Sequence, residues 1–230
     1  MQDNRSLIDT IMSIFVPIHR DGYKFVVGFA VVTLILIKVS EPLGWFGILA
    51  TIWCAYFFRD PERFPPDRSN VVVAAADGRI SAIESMTPPK ELDLDDEKRV
   101  RISIFLSVFD VHINRAPVAG KIRKLEYVPG KFLNAELDKA SEENERQCLT
   151  LETDKGVRVG CIQIAGLIAR RIVTFVNEGD TVSAGERFGL IRFGSRTDVY
   201  LPPGCEPLVK VGQTAIGGET VLADLRAEDG

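Results

Sequence analysis

A mainly β chain with a hydrophobic helical hairpin at its N-terminus is expected from three features of the sequence. Two apolar runs, 25–37 (FVVGFAVVTLILI) and 43–58 (LGWFGILATIWCAYFF), are parted by a short polar break. Beyond residue 70, short runs rich in Val and Ile alternate with Gly, Pro and Asp turns. Near the C-terminus one turn pattern occurs twice.

The hairpin comes first along the chain. Each apolar run is shorter than the roughly 20 residues of a straight bilayer-spanning helix. A secretory signal fits poorly, because acidic residues precede the first run and no small-x-small cleavage site follows it. A buried hairpin of a soluble protein is one alternative; a short membrane-inserted hairpin is the reading preferred here. Its turn is KVSEPLG, with Pro42 and Gly44 breaking the helix, and Trp45, Trp53 and Tyr56 suit a membrane interface. Arg20 and Lys24 before it, and Arg59, Arg63 and Arg68 after it, place both ends on the cytoplasmic side. His19 reads as a polar residue at headgroup level.

Residues 57–70 (FFRDPERFPPDRSN) are dense in charge and proline, and the Pro65-Pro66 pair holds an extended path. They close an N-terminal part, 1–70, that anchors rather than reacts. The remainder, 71–230, is the β domain, with strands expected in VVVAAADGRISAI, RVRISIFLSVFDVHI, KIRKLEYV, QCLTLET and VRVGCIQIA. KFLNAELDKASEENERQ reads as a loop or a short helix with one face in water.

Composition narrows the function. The chain has 230 residues, enough for one ordinary domain with an appendage. Its 28 Lys+Arg against 32 Asp+Glu, a net charge of -4, argue against a nucleic-acid-binding protein. With two histidines, four cysteines and no CxxC-like spacing, neither a His/Cys zinc site nor a disulfide framework is expected. The thiols read as buried and reduced.

The repeated turn is NEGDTVSAGERFGLI (177–191) and KVGQTAIGGETVLAD (210–224). Gly179 aligns with Gly212, Thr181 with Thr214, Gly185 with Gly218 and Glu186 with Glu219. Glycines at such places permit positive φ between short strands. The pattern resembles biotinyl/lipoyl-type barrel-sandwich domains. A swinging-cofactor carrier would need a lysine at a hairpin tip beside methionines, and this sequence has none so placed. The repeat therefore concerns fold, not cargo.

Between the repeats lies Phe193-Gly194-Ser195. Gly-Ser alone is an ordinary turn. Together with AAADGRI (74–80), FLSVFDVHINRAP (105–117), FLNAELDKASEENER (132–146) and FFRDPERFPP (57–66), it makes the chain resemble the phosphatidylserine decarboxylase proenzymes, specifically their shorter membrane-associated branch. The resemblance runs over almost the whole chain.

What it implies is a cofactor made from the chain itself. Ser195 attacks the Gly194 carbonyl to give an ester; elimination and hydrolysis then leave a pyruvoyl group at 195. The chains 1–194 and 195–230 stay associated, and relatives suggest a dimer of such pairs. The keto group would form a Schiff base with the amine of phosphatidylserine, accept the electrons of decarboxylation, and release phosphatidylethanolamine at the cytoplasmic side of the cell membrane. His112 matches the family histidine for proton transfer, where a lone histidine would otherwise read as structural. Asp77 matches the aspartate associated with self-cleavage, and an Asp-Gly turn is its bland reading. An Asp-His-Ser relay would activate Ser195. The longer members carry a second histidine where this chain has Arg115, and Leu and Thr where it has Phe193 and Arg196. Arg115 is then a replacement for that histidine or a ligand of the substrate's carboxylate or phosphate. Arg170 and Arg171 are further candidates for an anionic headgroup, of which strand alternation would point only one toward the site. Two other readings stay open: a non-catalytic membrane-tethered binding module with an uncut Gly-Ser loop, and a decarboxylase of an ether-linked (archaetidyl) serine lipid.

Overall fold

A computed structural model describes residues 16–68, 70–132, 143–166, 171–192 and 194–225. It divides into two compact units, Met1–Glu62 and Arg63–Gly230.

The first unit is the hairpin: α1 (Arg20–Val39) and α2 (Glu41–Phe57), joined through the single residue Ser40. The break is tighter than the sequence suggests. Pro42 sits in the first turn of α2, where its missing N–H costs nothing. Gly44 does not break the helix; it lies inside α2 at the contact with α1. A Cβ there would come within 2.8 Å of Ile37, and one at Gly47 within 2.8 Å of Thr33. These small residues let the helices pack closely, and the Thr33 and Thr51 hydroxyls bond across the seam at 2.9 Å. His19 caps α1, its Nδ1 accepting from the Asp21 amide at 3.3 Å. At 20 residues α1 is about 30 Å long and is, by length and composition, apolar enough to cross a membrane. The flanks point large apolar side chains outward, among them Val32, Ile35, Trp45, Phe46 and Leu49.

The second unit is mainly β. Its strands are β1 (Val71–Val73), β2 (Gly78–Met86), β3 (Arg99–Leu106), β4 (Ile113–Arg115), β5 (Gly120–Val128), β6 (Arg146–Glu152), β7 (Arg158–Ala165), β8 (Ile172–Thr174), β9 (Thr181–Val182), β10 (Arg187–Ile191), β11 (Ser195–Tyr200), β12 (Thr214–Ala215) and β13 (Val221–Asp224). Eight form one antiparallel sheet in the order β12-β2-β3-β11-β7-β6-β5-β9; β4-β10-β8 form a second and β1-β13 a third. Most of KFLNAELDKASEENERQ lies outside the described residues.

The turn repeat is part of a larger symmetry. Gly179 and Gly212 have φ of 93° and 91°, and Gly185 and Gly218 of 75° and 81°. Gly179 N donates to Ile122 O as Gly212 N donates to Ile80 O, and Gly185 N to Ala116 O as Gly218 N to Ala74 O. β9 and β12 then occupy the two ends of the large sheet, next to β5 and β2. β2 and β5 each start on glycine and carry a register shift two residues on. The sheet order is thus a palindrome about β11 and β7. A pseudo-two-fold relates β12 to β9, β2 to β5, β3 to β6 and β11 to β7.

Along β3, β11 and β7, one face carries Ile102, Ile104, Val199 and Cys161 into the main core with Phe188, Ala116 and Val118. The other face packs Ile162, Cys148 and Tyr200 beneath Leu92 of the 3-10 turn Lys90–Leu92. All four cysteines are free and buried. Burial pushes the Cys148 thiol up to about 12 and the Cys161 thiol higher than its ordinary value. An alkylating reagent applied to the native protein is therefore expected to leave both residues unmodified, and to label them after denaturation, as read by peptide mass.

Candidate functional site

One row of the large sheet carries Ser195 and adjoins the segments that carry His112, Gly194 and Arg171. Leu106, Ser195 and Ala165 stand side by side at the ends of β3, β11 and β7. In the small sheet, Ile191 pairs with Ile172, and its N–H donates to His112 O at 3.3 Å. The same three strands therefore lead into β4, β10 and β8 through three short segments, 107–112, 192–194 and 166–171. His112, Gly194 and Arg171 each lie on a different one. Arg171 is exposed, and its carbonyl accepts from the Arg192 amide at 3.3 Å. Arg170 and Phe193 lie outside the described residues.

Ser195 opens β11, fully buried, and among the described residues its Oγ has no hydrogen-bond partner. Gly194 before it has φ +60°, a left-handed conformation that residues with a Cβ adopt at a cost. A Cβ there would meet nothing within 4 Å, so it is conformation rather than space that calls for glycine. The peptide bond between Gly194 and Ser195 therefore lies at a left-handed bend, directly before a buried hydroxyl.

His112 is fully buried at the mouth of β4 rather than within a strand. Its Nδ1 lies 2.9 Å from Asp110 O. A carbonyl can only accept, so Nδ1 carries the proton, and in the neutral ring Nε2 is the basic nitrogen. The loop is stiffened by Asp110, whose Oδ2 accepts from both Ser107 N (2.8 Å) and Ser107 Oγ (2.7 Å). Alternation turns His112 to the same side of β4 as Asn114, which reaches Gln163 of the large sheet at 2.7 Å. Arg115 faces the other way. It is buried, its Nη1 donates to Gly185 O at 2.9 Å, and its side chain packs on Gly218, so it holds the two repeated turns.

Asp77 lies at the same end of the sheet, two strands from β11. Its Oδ1 accepts from Gly217 N (2.8 Å) and its Oδ2 from Arg63 Nη2 (2.6 Å). Arg63 was read from sequence only as a flanking positive charge; its pairing with Asp77 spans 14 residues and left no local pattern. The pseudo-two-fold bears on the Asp-Gly turn itself. The related turn reads Ala119-Gly120, so the fold builds this corner without a carboxylate.

Arg196 is explained by its neighbour. It projects to the face away from Ser195, and its Nε and Nη2 reach Asp198 at 2.9 and 3.0 Å, both residues buried. The position related to Ser195 by the pseudo-two-fold is Val157, which lines a cleft of about 620 Å³ with Glu152, Arg158 and Pro203. That cleft is at the opposite strand ends, remote from the row of Ser195.

Residues 50–223 match the family model described as phosphatidylserine decarboxylase. The phosphatidylserine decarboxylase proenzyme of Nitrobacter winogradskyi is 63% identical over 214 residues, covering 93% of this chain and 87% of that protein.

Proposed function

The chain belongs to the phosphatidylserine decarboxylase family, and we propose that it removes the carboxyl group of phosphatidylserine with an electrophile made from its own Ser195. The observation that carries this reading is the buried Ser195 hydroxyl placed directly after a left-handed Gly194. His112 Nε2 takes the Oγ proton as Oγ bonds to the Gly194 carbonyl carbon. The C–N bond then breaks, the proton passes to the Ser195 nitrogen, and the peptide becomes an ester. Removal of the Ser195 α-proton expels the Gly194 carboxylate and leaves dehydroalanine. Its enamine tautomerises, and water displaces ammonia to leave the pyruvoyl group. When formed, that group supplies the electron sink that decarboxylation of an α-amino acid requires.

The fold suits such a break. After cleavage, β11 of the small chain remains laddered to β3 and β7 of the large one along all six residues, and β12 and β13 remain paired to β2 and β1. Two chains hold one core. Arg171, which is exposed, and Arg170 follow Ser195's neighbour Ala165 in sequence and are the proposed ligands of the headgroup phosphate. For Arg115, the bond to Gly185 O favours bracing the turns over contact with substrate. The hairpin tethers the enzyme to the cytoplasmic side of the cell membrane, with Arg20 and Lys24 toward anionic headgroups.

The test is an intact-mass measurement of the purified protein with an assay of carbon dioxide release from phosphatidylserine. Two chains separated between Gly194 and Ser195, the smaller with a blocked N-terminus, are expected together with turnover; an active single chain of 25.5 kDa overturns the reading. Ether-linked serine lipid in parallel measures the selectivity for lipid backbone.

Asp77→Ala gives a second check. Since the related corner is built with Ala119, the variant is expected to fold, with its thermal midpoint lowered by only a few degrees. Self-cleavage, followed on a denaturing gel, is expected to slow at least tenfold.

A further inference from the structure

Beneath Ser195, between the two sheets, lies a group of polar side chains that the proposed chemistry has not used. Thr197 follows Ser195 on the same face of β11, and Gln163 is its cross-strand partner on β7. Gln163 Nε2 donates to Asn114 Oδ1 at 2.7 Å, across to the small sheet. All three residues are 0% exposed, as is Ser195. Among the described residues, Asn114 Nδ2, Gln163 Oε1, Thr197 Oγ1 and Ser195 Oγ have no hydrogen-bond partner. Buried polar atoms without partners are uncommon and costly, and four between the same two sheets are a cluster to be explained.

Two further observations say that the cluster is built rather than incidental. Gly189 makes room for it: a Cβ there would come within 2.7 Å of Gln163 Nε2 and 2.8 Å of Val173 O. The fold does not need it either. By the pseudo-two-fold, Thr197 corresponds to Val159 and Gln163 to Leu201, and both of these are fully buried apolar residues.

We propose that Asn114, Gln163 and Thr197 are positioning residues for self-cleavage, an amide-and-hydroxyl cradle that orients Ser195 Oγ for attack on Gly194. This rests on the reading of Ser195 given above. The amide pair is fixed by its own bond, and Asn114 Nδ2, Gln163 Oε1 and Thr197 Oγ1 keep donor and acceptor capacity that the resting arrangement does not use. Ser195 Oγ makes no bond to these groups at rest; as it turns toward the Gly194 carbonyl they supply the bonds that hold the attacking rotamer, leaving its proton to depart toward His112. None of the three exchanges a proton with the reacting atoms.

The experiment follows precursor cleavage over time by denaturing gel and intact mass, in the full chain, with wild type alongside. Thr197→Val is nearly isosteric, and Gln163→Leu/Asn114→Leu replaces both partners of the buried pair with apolar residues, leucine being what the related half carries at the Gln163 position. Each is expected to slow cleavage at least tenfold with the thermal midpoint within a few degrees of wild type, and Thr197→Ser to restore it. Hydroxylamine, which cleaves esters, is expected not to release the chains of the slow variants, because the ester has not formed. Variants that cleave at the wild-type rate overturn the cradle, and so does release by hydroxylamine, which would put the block after the attack. If the double variant does not fold, the Thr197 pair decides. A wild-type chain that stays uncut would instead overturn the role of Ser195.

Discussion

Ser195→Ala is expected to yield one uncleaved chain close to 25.5 kDa, folded and without decarboxylase activity. The electrophile is lost with the hydroxyl, so residual turnover falls to the uncatalysed background, a change of at least about 10⁶ by the usual scale of enzymatic acceleration. The fold has little reason to object. Ser195 Oγ has no hydrogen-bond partner among the described residues, so its removal breaks no bond there and relieves a buried hydroxyl. β11 keeps its six-residue ladders to β3 and β7. The thermal midpoint should accordingly match or exceed that of the uncleaved precursor, measured by calorimetry. A variant that still separates into 194- and 36-residue chains would show that the break does not depend on this hydroxyl.

The parts of this architecture that could be read from sequence are those with local periodicity. Two uninterrupted apolar runs give the hairpin, and the Val- and Ile-rich runs give β2, β3, β5, β6 and β7 close to their observed places. The glycine repeat is legible because positive φ leaves a strict residue requirement. Its wider symmetry is not, since GRISAIESM of β2 and GKIRKLEYV of β5 are identical at only three positions, a glycine, an isoleucine and a glutamate. Pairing in a sheet constrains which face is apolar, not which residues are identical. At the site, Gly194, Ser195 and His112 are carried by long motifs. Gln163 and Asn114 are not, because their bond joins residues 49 apart on different sheets. Arg196 stood out as a departure from the longer family members, and its i,i+2 spacing to Asp198 on a strand was the available sign of a partner on the same face. Gly44 misled for the opposite reason: sequence marks glycine as a breaker, whereas helix packing uses it for close approach.

His112→Gln is the substitution that separates base chemistry from architecture. The glutamine amide can still donate to Asp110 O, as His112 Nδ1 does at 2.9 Å, so the 107–112 loop keeps its anchor. What it cannot do is accept a proton at neutral pH. General-base catalysis contributes about 10² to 10⁴ in rate, so self-cleavage is expected to slow by that factor and the precursor to accumulate. Arg115 does not take over, on three counts. It faces the opposite side of β4, its guanidinium is bound to Gly185 O, and arginine holds its proton throughout the physiological range. Once the slow precursor has been allowed to cleave, carbon dioxide release by the cleaved fraction can be measured separately. A loss of similar size there assigns proton transfer in turnover to the same ring. Wild-type turnover by the cleaved fraction would confine His112 to maturation and leave Asp77, at the same end of the sheet, as the acid-base group of the decarboxylation.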